Sequence, residues 1–226
     1  MPKELITKQK EFMKTTITIK VVKDSDSSTV KILDAIEEAY GEFDRIVKKY
    51  TRFNENSELS NLNRQNGKWV EVSKEFFQLI EKMLDLAKKS NGAFDPTIID
   101  FLDVYGYNKN YDFSKLENPE LDIIVKNTLE TRPSWKEIKL DKKISKVKLQ
   151  KNQRLDLGGI GKGYAIDCAF EKLSKAGLNN FLIDGGGDIR ASGTNEESNP
   201  WKVGLKTIDT EGKEAVNLAI ELNNQA

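Results

Sequence analysis

The chain has 226 residues and carries 36 basic and 36 acidic side chains, so its formal net charge at neutral pH is zero. This length allows a sizeable core, and the balanced charge argues against non-specific nucleic-acid binding, which depends on a positive field. With no histidine and one cysteine, Cys168, the sequence excludes an internal disulfide framework and zinc sites built on histidine or several cysteines.

The first half of the chain shows clear strand and helix patterns. Residues 15–22 alternate apolar and polar side chains and are rich in β-branched residues, which predicts a strand. Residues 27–50 repeat apolar side chains at steps of three and four, which predicts an amphipathic helix with a serine N-cap. Three more elements are predicted: a short helix opened by Ser57, a strand at 68–72, and a helix from Ser73 to near Gly92.

The second half begins with a polar stretch, 108–135, whose pattern is ambiguous. After it we expect a hairpin around Asp141, a helix at 164–177, and strands at 180–184, 201–208 and 215–222. Strands and helices follow each other without regular β-α-β alternation. The sequence therefore predicts an α+β fold, a mixed sheet packed with helices, in a single domain spanning 1–226.

The segment LDLGGIGKGYAIDCAF, residues 155–170, has the composition of a phosphate-binding loop. It does not fit the dinucleotide fingerprint, because the sixth position counted from Gly159 is Tyr164. It does not fit the P-loop either, because Lys162 is followed by Gly163 rather than Ser or Thr. From this loop alone, a ligand site and a tight glycine turn before a helix remain equally open.

Three other polar or glycine-rich segments lie at the ends of predicted elements: TRFNENSELSNLN (51–63), SNGAFDPTIIDFLDVYGY (90–107) and FLIDGGGDIRASG (181–193). Taken singly, each is explained by ordinary turn and cap chemistry. Taken together they favour a ligand site, because such sites are assembled from loops on a rigid scaffold.

These segments, in this order, resemble the FAD:protein FMN transferases, the ApbE-like flavin transferase family. The resemblance runs from about Glu11 to the end of the chain and begins with MKTTITIKV, which is similar to the family's opening strand. Lys14 stands where the family usually has glycine, so we expect a difference in the backbone or the pocket rim there. Tyr105 stands where tryptophan is usual. The fold implied is the ApbE-like, T-fold-like architecture.

The resemblance also implies roles for individual residues. Asp156 and Lys162 match positions that contact FAD and take part in catalysis. Gly159 matches a position whose main-chain carbonyl binds Mg²⁺. The flavin-binding positions are matched by Met13, Phe53, Ala93, Phe94 and Asp95. Apolar and aromatic walls suit a planar flavin, and a lysine beside glycines suits a pyrophosphate.

The activity implied is Mg²⁺-dependent transfer of FMN from FAD to a Thr or Ser hydroxyl of a target protein, with release of AMP. Hydrolysis of FAD to FMN and AMP, and non-catalytic FAD binding, remain alternatives. The family pattern continues beyond the segment matched here, so we expect the 226-residue chain alone to bind FAD weakly, to transfer nothing and to self-associate. The family is typically exported and lipid-anchored, which implies an extracytoplasmic, membrane-anchored precursor; no anchoring cysteine lies near the N-terminus, so a cytoplasmic member remains an alternative.

Overall fold

The computed structural model describes residues 3–25, 27–107, 113–208, 212, 214–222 and 224. The chain forms two compact units, one combining Met1–Val47 with Lys162–Ala226 and the other consisting of Lys48–Gly161. Both units contain helices and antiparallel strands, and the predicted α+β class is confirmed.

In the described residues the strands are, in chain order, β1 (Leu5–Phe12), β2 (Thr15–Val22), β3 (Trp69–Glu71), β4 (Lys139–Asp141), β5 (Lys146–Lys148), β6 (Phe181–Gly185), β7 (Ile189–Ser192), β8 (Trp201–Ile208) and β9 (Glu214–Leu222). The α-helices are α1 (Thr29–Tyr50), α2 (Glu58–Arg64), α3 (Lys74–Lys89), α4 (Ile99–Val104), α5 (Leu121–Thr131) and α6 (Gly161–Lys175). Short 3₁₀ helices cover Phe113–Glu117 and Trp135–Glu137.

The first unit is built on a four-stranded antiparallel sheet in the order β1–β2–β6–β7. Its central strands supply fully buried side chains, among them Ile17 and Ile183. Tyr40 of α1 donates its hydroxyl to the Ile17 carbonyl at 3.2 Å. Ile166 of α6 lies so close to β6 that a Cβ at Gly185 would be 2.9 Å from its Cδ1. Helices α1 and α6 therefore cover the sheet, and both were predicted.

Strand β1 was not predicted, because Ile6 is its one buried residue and the strand shows no apolar alternation. It pairs with β2 so that Phe12 lies opposite Thr15, which leaves a two-residue turn. The turn residues, Met13 and Lys14, have φ values of 49° and 58°. Positive φ at both positions is typical of hairpin turns whose twist matches the strands. Lys14 thus adopts a backbone conformation that favours glycine.

The second unit contains the three-stranded antiparallel sheet β3–β5–β4, and the predicted hairpin around Asp141 is confirmed as β4 and β5. The predicted N-caps of α2 and α3 are also confirmed. Ser57 accepts the Ser60 N–H at the start of α2, and Ser73 accepts the Phe76 N–H at the start of α3. Each cap satisfies a main-chain donor that has no partner within the helix.

Helices α4 and α5 were not predicted. Helix α5 lies within the ambiguous stretch 108–135, of which 108–112 fall outside the described residues. It contains no buried residue, although Leu121, Ile124, Val125 and Leu129 are apolar at helical spacing. Its side chains Ile123 and Leu129 are exposed.

The hairpin β8–β9 confirms two predicted strands and belongs to the first unit. Three apolar cross-strand pairs follow each other along one face: Trp201 with Leu222, Val203 with Ile220, and Leu205 with Leu218. Trp201 is buried against Val22, Leu182 and Ala191, whereas Leu205, Leu218 and Ile220 are exposed.

Among the described helices, none combines the length and the hydropathy that a membrane span requires.

Candidate functional site

The loop at 155–161 is held in the second unit by side chains from distant parts of the chain. Asn63 at the end of α2 forms hydrogen bonds with both main-chain groups of Leu155. Its Oδ1 accepts the Leu155 N–H at 2.8 Å, and its Nδ2 donates to the Leu155 carbonyl at 2.9 Å. The next N–H, that of Asp156, donates to the Pro96 carbonyl at 2.9 Å. These three hydrogen bonds fix the chain where the glycine loop begins.

The Asp156 carboxylate is engaged on both oxygens. Its Oδ1 accepts a hydrogen bond from Arg52 Nη1 at 3.1 Å, and its Oδ2 accepts the Gly158 N–H at 2.8 Å. The Asp156 and Arg52 side chains are only 12% and 13% exposed, so this is a largely desolvated ion pair. A Cβ at Gly158 would lie 2.7 Å from Asp156 Oδ2. A side chain at position 158 would therefore displace the Asp156 carboxylate from the turn that it closes.

Gly159 is in contact with the ring of Phe94. A Cβ at this position would lie 2.8 Å from Phe94 Cε2, closer than a methyl group and a ring carbon can approach. The chain then turns into α6, and the Gly161 N–H donates to the Leu157 carbonyl at 2.7 Å. Two positions that the sequence places 65 residues apart, Phe94 and Gly159, are thus neighbours in this unit.

The tripeptide Ala93–Asp95 is fixed by its own network. The N–H groups of Ala93 and Phe94 donate to the carbonyl and the hydroxyl of Ser90. Asp95 Oδ1 accepts from the Thr97 N–H at 2.8 Å and the Thr97 hydroxyl at 2.6 Å. Asp95 Oδ2 accepts from Arg132 Nη2 at 2.7 Å. With its oxygens occupied and 9% of its side chain exposed, Asp95 stabilises the loop that carries Phe94.

Phe53 is 39% exposed, a large fraction for an aromatic side chain. The guanidinium of Arg52 lies over its ring, 4.8 Å from the centroid. Arg52 therefore contacts two of the residues that the resemblance assigns to FAD, Phe53 and Asp156. Four of the six predicted residues in this unit make direct contacts with each other or with Arg52: Phe53, Phe94, Asp156 and Gly159.

Lys162 and Met13 belong to the first unit. Lys162 lies in the first turn of α6, and its Nζ is 3.3 Å from Asp188 Oδ2. Asp188 closes the turn between β6 and β7 by accepting the Gly185 N–H on its main-chain carbonyl. Met13 lies in the β1–β2 turn and is 38% exposed. An ammonium group in the first turn of a helix that begins with glycines suits a phosphate ligand.

The described residues supply few ligands for a metal ion. Within the part of the chain that the structure describes, no three acidic or cysteine side chains converge. The Asp156 carboxylate is committed to Arg52 and Gly158. The carbonyl of Gly159 is a hard donor of the kind Mg²⁺ accepts, but one carbonyl does not make a magnesium site. These residues alone therefore do not fit Mg²⁺, and its requirement stays a prediction.

A polar cavity of about 450 Å³ lies elsewhere in the second unit; it is lined by Asn66, Asp100, Thr128, Thr131, Arg132, Asn152 and Arg154. Arg154 donates to Asp100 and, at 2.9 Å, to Asp103. Burial lowers the pKa of Arg154, but the hydrogen bonds and charges of Asp100 and Asp103 outweigh it and raise that pKa overall. The two arginines of this cavity are both paired with carboxylates, Arg132 with Asp95 and Arg154 with Asp100 and Asp103.

Three side chains that shape the loops were not among the sequence predictions: Arg52, Asn63 and Arg132. Arg52 and Asn63 lie inside the segment TRFNENSELSNLN. A charged side chain and an amide among turn residues are the only feature of the sequence that could have pointed to them. Arg132 lies in the ambiguous stretch 108–135, where the sequence pattern did not point to any functional residue.

Comparison with known proteins adds a consistent set of relatives. The model of the ApbE family matches residues 13–226. A Haemophilus influenzae protein named FAD:protein FMN transferase is 29% identical over 233 residues, covering 98% of this chain and 64% of that protein. One of the same name from Treponema pallidum is 33% identical over 146 residues, covering 62% of this chain and 39% of that protein.

Solved structures show the same architecture. The ApbE protein of Thermotoga maritima superposes with a TM-score of 0.80 at 27% identity, covering 98% of this chain and 68% of that one. The flavin transferase ApbE of Vibrio cholerae superposes with a TM-score of 0.81 at 19% identity, covering 99% and 70%. The chain spans less than two thirds of the Haemophilus influenzae relative's length.

Proposed function

This chain belongs to the ApbE family, and from that premise we propose that the complete protein is an FAD:protein FMN transferase. The observation that carries the proposal is the glycine loop at 155–161, which is fixed by Asn63 and Arg52 and leads directly into the first turn of α6 with Lys162. A lysine in the first turn of a helix suits a pyrophosphate, the group that joins the two halves of FAD.

In the proposed reaction, the hydroxyl oxygen of a Thr or Ser in the target protein attacks the phosphorus on the FMN side of FAD. The bond from that phosphorus to the bridging oxygen breaks, AMP leaves with the bridging oxygen, and the hydroxyl proton is lost. Lys162 would stabilise the negative charge of the pyrophosphate. The resemblance assigns contacts with the flavin ring to Phe53, Phe94 and Met13, and of these Phe53 and Met13 are 39% and 38% exposed.

We include Mg²⁺ in the proposal because the resemblance implies it. When bound, the ion would supply Lewis-acid stabilisation of the pyrophosphate charge. The described residues contribute at most the Gly159 carbonyl, so we assign no step to them through the metal.

The test is a covalent transfer assay with the complete gene product that contains these 226 residues. The protein is mixed with FAD, Mg²⁺ and a flavin-accepting substrate domain, and the products are separated on a denaturing gel and by chromatography. We expect a fluorescent acceptor band and one AMP per transferred FMN, both lost after exhaustive EDTA treatment. Free FMN and AMP without a fluorescent band would instead identify an FAD pyrophosphatase, and bound but intact FAD would identify a binding protein.

A further inference from the structure

Arg52 makes three contacts with groups that surround the glycine loop. Its Nη1 donates to Asp156 Oδ1 at 3.1 Å, its Nη2 donates to the Tyr107 carbonyl, and its guanidinium covers the Phe53 ring at 4.8 Å. All four residues belong to the second unit. The side chain is 13% exposed, so the charge is withdrawn from water and depends on these partners.

From these contacts we propose that Arg52 is a positioning residue for flavin binding, which orients the Phe53 ring and the Asp156 carboxylate as one piece. The inference rests on the proposed function, because it takes Phe53 and the loop at 155–161 as the surfaces that meet FAD. Neither the resemblance nor the names of the relatives assign a role to this arginine.

The contacts pass from Arg52 into the main chain of the loop. Asp156 Oδ1 is held by Arg52, and the other oxygen of the same carboxylate holds the Gly158 N–H at 2.8 Å. Rotating the carboxylate would therefore release Gly158, the residue whose neighbour Gly159 lies against Phe94. Losing Arg52 would disturb both the loop that meets the pyrophosphate and an aromatic wall for the ring.

The geometry requires a guanidinium rather than any cation. Only a planar fork can donate to Asp156 and to the Tyr107 carbonyl from two nitrogens while its face lies on an aromatic ring. A lysine would restore the charge but place it on a single nitrogen. Arg52→Lys and Arg52→Met therefore separate the geometric role from the electrostatic one.

The experiment compares wild type, Arg52→Met, Arg52→Lys and Arg154→Met in the complete gene product. Arg154 is the matched control, because it also pairs with carboxylates in the second unit but contacts neither Phe53 nor Asp156. FAD affinity is measured by flavin fluorescence, ring environment by the circular dichroism of the bound flavin near 450 nm, and folding by thermal melting.

We expect Arg52→Met to weaken FAD at least tenfold and to change the flavin dichroism, with Arg52→Lys only partly restoring both. Arg154→Met should lower the melting temperature and leave FAD affinity within about twofold. The double variant Arg52→Met/Asp156→Asn should weaken FAD by less than the two single variants do in sum, because the two residues act together.

Two results overturn the proposal in different ways. If wild type binds FAD and folded Arg52→Met or Arg52→Lys binds it equally well with unchanged dichroism, the positioning role is wrong and the proposed function stands. If wild type does not bind FAD, the proposed function fails and this inference fails with it.

Discussion

The glycines of the loop at 155–161 and of the first turn of α6 differ in how much space a side chain would have. A Cβ at Gly158 would meet the Asp156 carboxylate at 2.7 Å, and one at Gly159 would meet the Phe94 ring at 2.8 Å. A Cβ at Gly163 would meet nothing within 4 Å. The four-glycine pattern therefore combines positions required by packing with one at which glycine only weakens the helix.

Replacing Gly159 with Ala should force the Phe94 ring to move, because the ring edge is the nearest obstacle. Overpacking of this kind costs about 1–3 kcal/mol, and a ring displacement keeps the cost at the lower end. Gly163→Ala, the control in α6, should instead stabilise the protein by about 0.5–1 kcal/mol. Urea unfolding of both variants checks this pair; equal changes in the free energy of unfolding would contradict the close contact between Gly159 and Phe94.

At the scale of elements, the turn between β6 and β7 leaves little room for side chains in place of its glycines. Gly185 and Gly186 bring β6 against Ile166 and Thr15, and Asp184 Oδ1 accepts the Gly187 N–H at 2.9 Å. Gly186 and Gly187 have φ values of 69° and 98°, in the left-handed region that favours glycine.

Alanine substitutions at Gly186 and Gly187 should therefore differ. In both variants the left-handed backbone destabilises the folded state by about 1–2 kcal/mol. At Gly186 the new Cβ would also lie 2.3 Å from Thr15 Oγ1, whereas at Gly187 nothing lies within 4 Å. We expect Gly186→Ala to lower the free energy of unfolding by about 3 kcal/mol or more, and Gly187→Ala by less than 2 kcal/mol. Chemical denaturation that ranks Gly187→Ala as the more damaging change would refute the close approach of β2 to this turn.

The elements that the sequence predicts are those whose apolar spacing reflects burial. Helix α3 buries Phe76, Phe77 and Ile80 at helical intervals, and β2 buries alternate residues, so their periods are visible in the sequence. Strand β1 and helix α5 have almost no buried side chains, and their positions are set by pairing and by contacts with neighbouring elements. Apolar periodicity is therefore an unreliable signal for elements of that kind.

At the scale of the whole molecule, the order of four loop segments predicts where ligand-binding residues lie, but the sequence does not show what holds these loops in place. The hydrogen bonds from Asn63 to Leu155 and from Arg52 to Asp156 join residues 92 and 104 positions apart. Only the folded chain brings such partners together. The sequence therefore identified the loops and missed the side chains that fix them.

The stability of the protein should depend on one buried tyrosine at alkaline pH. Burial, and next the charge of Glu37, raise the pKa of Tyr40 to about 12 from an unfolded value near 10. The folded state therefore favours the neutral phenol, and this contribution is complete below pH 10 and is lost as the pH rises toward 12. At pH 11 the loss should be about 1.4 kcal/mol.

Urea unfolding of wild type and Tyr40→Phe between pH 8 and 11 isolates that contribution. At pH 8 the variant should be less stable by about 1 kcal/mol, because it loses the hydrogen bond to the Ile17 carbonyl. The difference should shrink, and then reverse, as the pH approaches 11. Curves that stay parallel over this range would show that Tyr40 titrates alike in both states.

The role proposed for Lys162, in the first turn of α6, depends on whether its side chain contacts the pyrophosphate of FAD. Titration calorimetry compares FAD with riboflavin, which has the same ring and no phosphate, on wild type and Lys162→Ala of the complete gene product. Lys172→Ala is the control, because Lys172 also lies on α6 and pairs with Glu42 at 3.6 Å. We expect Lys162→Ala to weaken FAD binding by about 1.5–3 kcal/mol and to leave riboflavin binding and the control nearly unchanged. Equal weakening of both flavins, or no FAD binding by wild type, would contradict this role.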